Sequence, residues 1–323
     1  MSSSPPSLPR PRPAYAEPPD SGRLTPRKWL DGAPITRLLL VLNVAVYCVE
    51  VADSAGGGSF SLDSLRPVIR PLLELGASYP PATLGEHRWE TLVTACFLHG
   101  GIGHIAFNML ALWQAGPLVE RAVGSARMAP MYLLAGAAGN LLSVAFGWHT
   151  RAAVPSIGAS GAISGVIASA LIVGWRVQGW RGPLTQAMAR WLGFVVVFGL
   201  LSNLGGGAID NAAHVGGAAT GAIIASTWRR GTRYSATAEG LILGVCGVVL
   251  ALCIALVAWH DRTDPFAAMT LAERTEFTRQ AMRLGRCRDA QDGLGGVERL
   301  RAWAAPVTSL RTQVEATCGH APD

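Results

Sequence analysis

Charge is what this chain has least of. Only 15 % of its 323 residues are charged while half are apolar, and the mean hydropathy is +0.31. A soluble domain carries about 25 % charged residues, so the deficit points to lipid. Lysine is nearly missing as well. Lys28 stands alone, and arginine carries the net charge of +6. Those arginines sit in short connections and tails, with no interleaved aromatics. A nucleic-acid surface is therefore a weak reading, and orientation in a bilayer explains the arginines better. The six cysteines contain no Cys-x-x-Cys pair or other metal-ligand spacing. Cys48, Cys96, Cys246 and Cys253 fall in or beside apolar segments, where a thiol acts as a small hydrophobe. The first 34 residues have no early apolar core, so no secretory signal peptide is expected. With nine of the 20 prolines, residues 1–34 read instead as a disordered Pro/Arg-rich cytoplasmic tail.

What is present is a series of apolar runs and 38 glycines, small residues that let membrane helices approach closely. Seven runs have the length and composition of spans, which predicts an all-α polytopic membrane protein. They cover about Ile35–Val51, His104–Val119, Met128–Trp148, Gly158–Trp175, Trp191–Leu204, Asp210–Trp228 and Leu241–Trp259. The first is weakened by Asn43 and Glu50, and the fifth is short. The seventh has no charge at all. Trp148, Trp175, Trp228 and Trp259 mark helix ends, as an interfacial aromatic belt does. Between the first two runs lies a long connection, Ala52–Glu90, containing Gly56-Gly57-Gly58 and four prolines. A connection of that length is more often functional than idle.

Arginine placement sets the orientation. Arg121 and Arg127, then Arg176, Arg181 and Arg190, then Arg229, Arg230 and Arg233 fall in the 2–3, 4–5 and 6–7 connections. The 3–4 connection has Arg151 alone and the 5–6 connection has none. The positive-inside rule then puts the N-terminus in the cytoplasm and, after seven spans, the C-terminus outside. The last segment, 260–323, is polar and helical in pattern. Thr270-Leu271-Ala272-Glu273 has capping-box spacing, and Phe277, Met282 and Leu284 suggest a modest buried face. Outside the cell Cys287 and Cys318 could pair; the alternative is two free surface thiols.

Polar groups inside spans are costly and call for a reason. Four stand out: His104 and Asn108, which share a face at i, i+4, Ser160 at the start of the fourth run, and His214 one turn into the sixth. All four lie near the outer ends of their helices. A serine hydroxyl needs a base to take its proton, and His214 can serve. A tetrahedral intermediate needs donors, which Asn108 and His104 can supply. Gly158, Gly161 and Gly165 around Ser160, and Ala213, Gly217 and Gly221 around His214, form small-residue faces that can meet at short range. Each feature alone could be helix glue; jointly they describe a site. Asp210, four residues before His214, invites a triad reading, but a helix cap accounts for it better.

At these residues the sequence resembles the rhomboid family of intramembrane serine proteases. The matching motifs are His104-Ile105-Ala106-Phe107-Asn108, Gly158-Ala159-Ser160-Gly161 and Ala213-His214-Val215-Gly216-Gly217 with Gly221. Phe97-Leu98-His99 and Glu120 followed by Gly124 also resemble the family pattern. The resemblance implies a six-helix rhomboid core over 35–230, with a loop and a seventh C-terminal transmembrane helix over 231–259 as a variant. It implies Ser160 as nucleophile, His214 as general base, and His104, Asn108 and the Ser160 N–H as the oxyanion hole. It also implies single-pass transmembrane protein substrates cut near the outer membrane boundary, with no metal or nucleotide cofactor. Arginine in place of lysine, with abundant alanine and glycine, suggests a bacterium and thus its inner (plasma) membrane. One departure stands out. Where relatives often have Trp-Arg in the first loop, this chain has Trp89-Glu90, preceded by Arg88. A non-catalytic binder or chaperone on the same fold is the competing reading, and a transporter is disfavoured because no inverted sequence halves are evident.

Overall fold

Helix formation here follows from apolar runs bounded by capping and breaking residues. The computed structural model describes residues 30–54, 67–204, 209–228, 234–300 and 307–319. The proline-rich segment 1–29, the Gly56-Gly57-Gly58 run and Arg229, Arg230 and Arg233 lie outside the described residues. Seven long helices carry the architecture: α1 (Pro34–Ser54), α2 (Ile102–Val123), α3 (Ser125–Thr150), α4 (Ser160–Gln178), α5 (Pro183–Leu204), α6 (Asn211–Thr227) and α7 (Ala236–Thr263). α1 and α5 begin on prolines, whose missing N–H costs nothing at a first position. α6 is capped by Asp210 and α7 by Ser235, each accepting from the backbone N–H three residues on.

By length and composition five of these helices can cross a membrane. A sixth span arises if the segment Thr91–Phe97 and α2, bent at 91°, count as one. α6, with 17 residues, is shorter than the roughly 20 that span a bilayer and lies walled in by α3 and α4. The fifth helix is longer than its apolar run suggests, because it extends back through the exposed Arg190 to Pro183.

The polar residues that weaken α1 in the sequence are bonded inside the bundle. Asn43 is fully buried and donates to the Leu39 carbonyl at 2.7 Å and to the Tyr132 hydroxyl at 3.3 Å. Glu50, also fully buried, accepts from the His99 N–H with both oxygens at 3.1 Å. Glu120 accepts from the Ile35 and Thr36 N–H groups and from the Thr36 and Ser125 hydroxyls. It thereby caps α1 from the end of α2, a carboxylate at a helix N-terminus. Gly124 then turns the chain into α3 at φ +88°, where a side chain would be strained.

The first loop is ordered over its described part. It forms a short helix Ile69–Glu74, a single π-helical turn Pro81–Gly85 and a short helix Thr91–Thr94. Thr83 and Thr91 share a hydroxyl hydrogen bond at 2.8 Å, Ser78 donates to the Thr91 carbonyl, and Thr94 to that of Gly76. The polar end of the chain forms α8 (Leu271–Arg283), α9 (Cys287–Glu298) and α10 (Val307–Cys318). Thr270 and Glu273 make a complete capping box on α8, and a disulfide joins Cys287 to Cys318. Contrary to the pattern reading, Leu284 is exposed, and the fully buried side chains of α8 are Arg274 and Thr278. Leu284 is the C-cap of the helix, beyond its packed turns.

Candidate active site

Two helices meet backbone to backbone at the centre of the bundle. A Cβ on Gly217 would lie 2.0 Å from the Gly161 carbonyl oxygen, and one on Gly221 would lie 2.0 Å from that of Gly165. Gly165 is closed from its other side too, since a Cβ there would meet Ala135 of α3 at 2.2 Å. Only glycine fits these positions, so α4 and α6 approach as closely as helices can. Ala213, the residue before His214, lies against Gly161 and against Gly139 of α3. This seam sets the separation of the two side chains at its outer end. Ser160 opens α4, His214 sits in the first turn of α6, and the His214 Nε2 lies 2.8 Å from the Ser160 Oγ.

The other two candidate residues come to the same place from α2. The chain bends between Phe97 and Ile102, and Glu50 holds that bend at the His99 N–H. The His99 ring stands edge-on to His104, with centroids 5.1 Å apart. The Gly100 N–H donates to the His104 Nδ1 at 3.4 Å. A neutral ring that accepts at Nδ1 carries its proton on Nε2, and that nitrogen faces Gly158. A Cβ on Gly158 would lie 2.7 Å from the His104 Nε2 and 3.6 Å from the Asn108 Nδ2. Gly158 also has φ +117° and donates to the Ala95 carbonyl at 2.9 Å. Contact and backbone conformation each demand glycine there, and it precedes α4 rather than starting it.

The donor set is directional and unspent. The Asn108 Nδ2 is buried with no partner, a condition that costs about 1–3 kcal/mol unless an acceptor arrives. Ser160 is the first residue of α4, and N–H groups in the first turn have no intrahelical acceptor. The His104 Nε2 and the Asn108 Nδ2 thus both lie against Gly158, two residues before Ser160.

Asp210 does not complete a triad. Its Oδ1 accepts from the Ala213 N–H at 2.9 Å, and its Oδ2 from the hydroxyls of Ser143 and Ser156. The His214 Nδ1 is buried without a partner. One carboxylate thus ties α3, the strand-like segment before Ser160, and the start of α6. The Ser156 Oγ also lies 3.0 Å from the Asn140 Oδ1, and the Ser156 backbone pairs with Ser78 of the first loop in an antiparallel bridge. Pattern reading missed Ser156, Ser143 and Asn140, since a serine or asparagine in an apolar run carries no mark of its partner. Glu50 was detectable as a lone carboxylate in a span. Trp89-Glu90 also has its account: Glu90 accepts from the His260 Nδ1 at 3.0 Å and from the Arg88 Nε at 3.2 Å.

Comparison with known proteins agrees with this architecture. Residues 86–231 match the Rhomboid domain. The chain is 37 % identical over 192 residues to the rhomboid protease GluP of Bacillus subtilis (strain 168), covering 58 % of this chain and 33 % of that protein. It is 29 % identical over 206 residues to RHOMBOID-like protein 4 of Arabidopsis thaliana, covering 57 % of this chain and 50 % of that protein. To the rhomboid protease AarA of Providencia stuartii it is 29 % identical over 213 residues, covering 60 % of this chain and 72 % of that protein. The match therefore spans a third of GluP and half of RHOMBOID-like protein 4. With all-α architecture and several helices apolar enough to cross a bilayer, this chain is a multi-pass membrane protein, and the part of it that encloses the α4–α6 seam matches the Rhomboid domain.

Proposed function

We propose that this protein is an intramembrane serine endopeptidase working through a Ser160–His214 dyad. The observation that carries the reading is the 2.8 Å contact from the His214 Nε2 to the Ser160 Oγ, beside a buried and unpartnered Asn108 amide. His214 takes the Ser160 proton as the Oγ attacks the scissile carbonyl. The oxyanion formed accepts from Asn108, His104 and the Ser160 N–H, donors preorganised for charge that develops only in the transition state. The protonated His214 then gives its proton to the leaving amine. In the second half, water attacks the acyl group on Ser160, with His214 again as base.

The site residues lie within the first two turns of α2, α4 and α6, which supports cleavage near one membrane boundary. Arginine placement makes that the outer boundary, with the N-terminus cytoplasmic and the C-terminus outside. Single-pass transmembrane proteins are the proposed substrates, since an extended segment must reach a site lodged between helices. The names of GluP and AarA as rhomboid proteases support this reading.

The test is cleavage of a single-pass reporter by wild type and by Ser160→Ala, with insertion of both checked. Loss of the product band in the variant is expected. Undiminished cleavage would sink the proposal, and reporter association without any cleavage by wild type would favour a non-catalytic binder.

A further inference from the structure

The polar C-terminal unit does not hang free of the bundle; it is fastened to the first loop. Arg274 of α8 is fully buried, and all five of its N–H donors are used. Nη1 donates to the Glu86 Oε1 at 2.6 Å and the Gly296 carbonyl at 2.9 Å. Nη2 donates to the Glu86 Oε2 at 2.9 Å and the Phe266 carbonyl at 2.7 Å, and Nε to the Met269 carbonyl at 3.1 Å. One guanidinium thus joins the segment after α7, α8, α9 and Glu86, the residue that closes the Pro81–Gly85 turn. A two-pronged carboxylate contact of this kind is specific to arginine. Around it, Arg88 donates to the Ala267 carbonyl at 2.8 Å and Ala268 packs with Leu72, Tyr79 and Leu98.

From Glu86 the contacts run on to the dyad. The turn is laced to Tyr79 and Thr91 through Thr83. Ser78 pairs with the Ser156 backbone, and the Ser156 hydroxyl donates to Asp210, the cap of the helix that carries His214. At the far end, the unit's own core is small, centred on Val297 and Leu310 with Leu271, Met282 and Leu294. Small cores of this kind commonly need a covalent staple, and Cys287–Cys318 joins the start of α9 to the end of α10.

We propose that the C-terminal unit is a brace for the first loop, that Arg274 is its positioning residue, and that the Cys287–Cys318 disulfide keeps the brace closed. The brace itself stands on the contacts above; only its effect on catalysis rests on the dyad reading.

The experiment uses the full chain in lipid, oxidised and after treatment with a small dithiol. The dithiol is oxidised to its cyclic disulfide as the Cys287–Cys318 bond breaks, and its two electrons and two protons leave both cysteines as thiols. Amide exchange is followed for residues 76–90. The rate and final extent of Ser160 labelling by a serine-directed phosphonate are followed alongside. On reduction, exchange in the loop should rise at least about tenfold. Labelling should slow several-fold with its final extent unchanged, because mispositioning changes the rate per site, whereas unfolding lowers the number of sites. Arg274→Lys should slow labelling less than Arg274→Gln. A Cys287→Ser/Cys318→Ser double variant should match reduced wild type and ignore the dithiol. Unchanged loop exchange, with both thiols alkylatable, would overturn the brace. Raised exchange with an unchanged labelling rate would overturn the positioning role. If oxidised wild type neither labels nor cleaves, the dyad reading fails alone, and the exchange arm still decides the brace.

Discussion

α4 and α7 are both charge-free across their apolar centres, yet 67 % of the α4 span is buried within the protein and only 6 % of that of α7. Glycine spacing does not separate them either. Gly161 and Gly165 of α4 stand four apart, as do Gly240 and Gly244 of α7. The first pair meets the α6 backbone, whereas a Cβ on either of the second pair would meet nothing within 4 Å. In lipid, apolarity supplies no drive between helices, so position in the bundle depends on which small faces have a complementary partner. α6 carries that partner at Ala213, Gly217 and Gly221. α7 faces lipid with Leu241, Val245, Val248 and Leu252 exposed, and its glycines are only tolerated.

The largest effect that would break this contrast is expected at Gly217→Val. Its branched side chain meets the Gly161 carbonyl, and neither backbone can yield. Stability should fall toward the upper end of the roughly 1–3 kcal/mol typical of overpacking. Cleavage by properly inserted protein should fall at least about 100-fold, as for a site displaced by an ångström. Retained cleavage with unchanged melting would show that the seam does not set the dyad. Next comes Asn108→Ala, which removes a donor without disturbing the seam. A loss of about 10²–10³ in kcat is expected, with KM little changed, and initial-rate kinetics decide it.

Asp210→Asn sharpens the distinction between a cap and a triad member. An orienting carboxylate would cost about 10⁴ in kcat when amidated. A cap that keeps one acceptor oxygen should lose about 1 kcal/mol of hydrogen bonding, within roughly tenfold in rate. The His214 Nδ1 has no bond to that carboxylate to lose, and a loss near 10⁴ in kcat would restore the triad. The smallest effect belongs to Gly244→Ala in α7, which should leave cleavage unchanged and raise helix stability by at most about 1 kcal/mol. An activity loss there would mean that α7 packs more tightly than its open glycines imply.

Much of this molecule was legible because the bilayer simplifies the code. Long runs without charge must be helices, since unpaired backbone groups in lipid are prohibitive. Polar residues in those runs need reasons, which is how Ser160, His214, His104 and Asn108 stand out before any coordinates. Spacing by four residues also exposed the glycine faces. Residue type and period reveal a face, but not what it touches. Hence Gly240 and Gly244 look like a seam and are not one, while Ser156 and Asn140 look incidental and hold the segment before Ser160.

The sequence by itself determined the helices, their capping residues at Asp210 and Thr270, and the four polar side chains near the ends of their apolar runs, because these depend on local chemistry and short periods. Only the tertiary structure decided that Gly217 and Gly221 press on Gly161 and Gly165, that the Asp210 carboxylate turns to serines and away from the base, and that Arg274 reaches 188 residues back to Glu86. Those are pairings between distant segments, and complementary shape and hydrogen-bond geometry select them from many partners of equal chemistry.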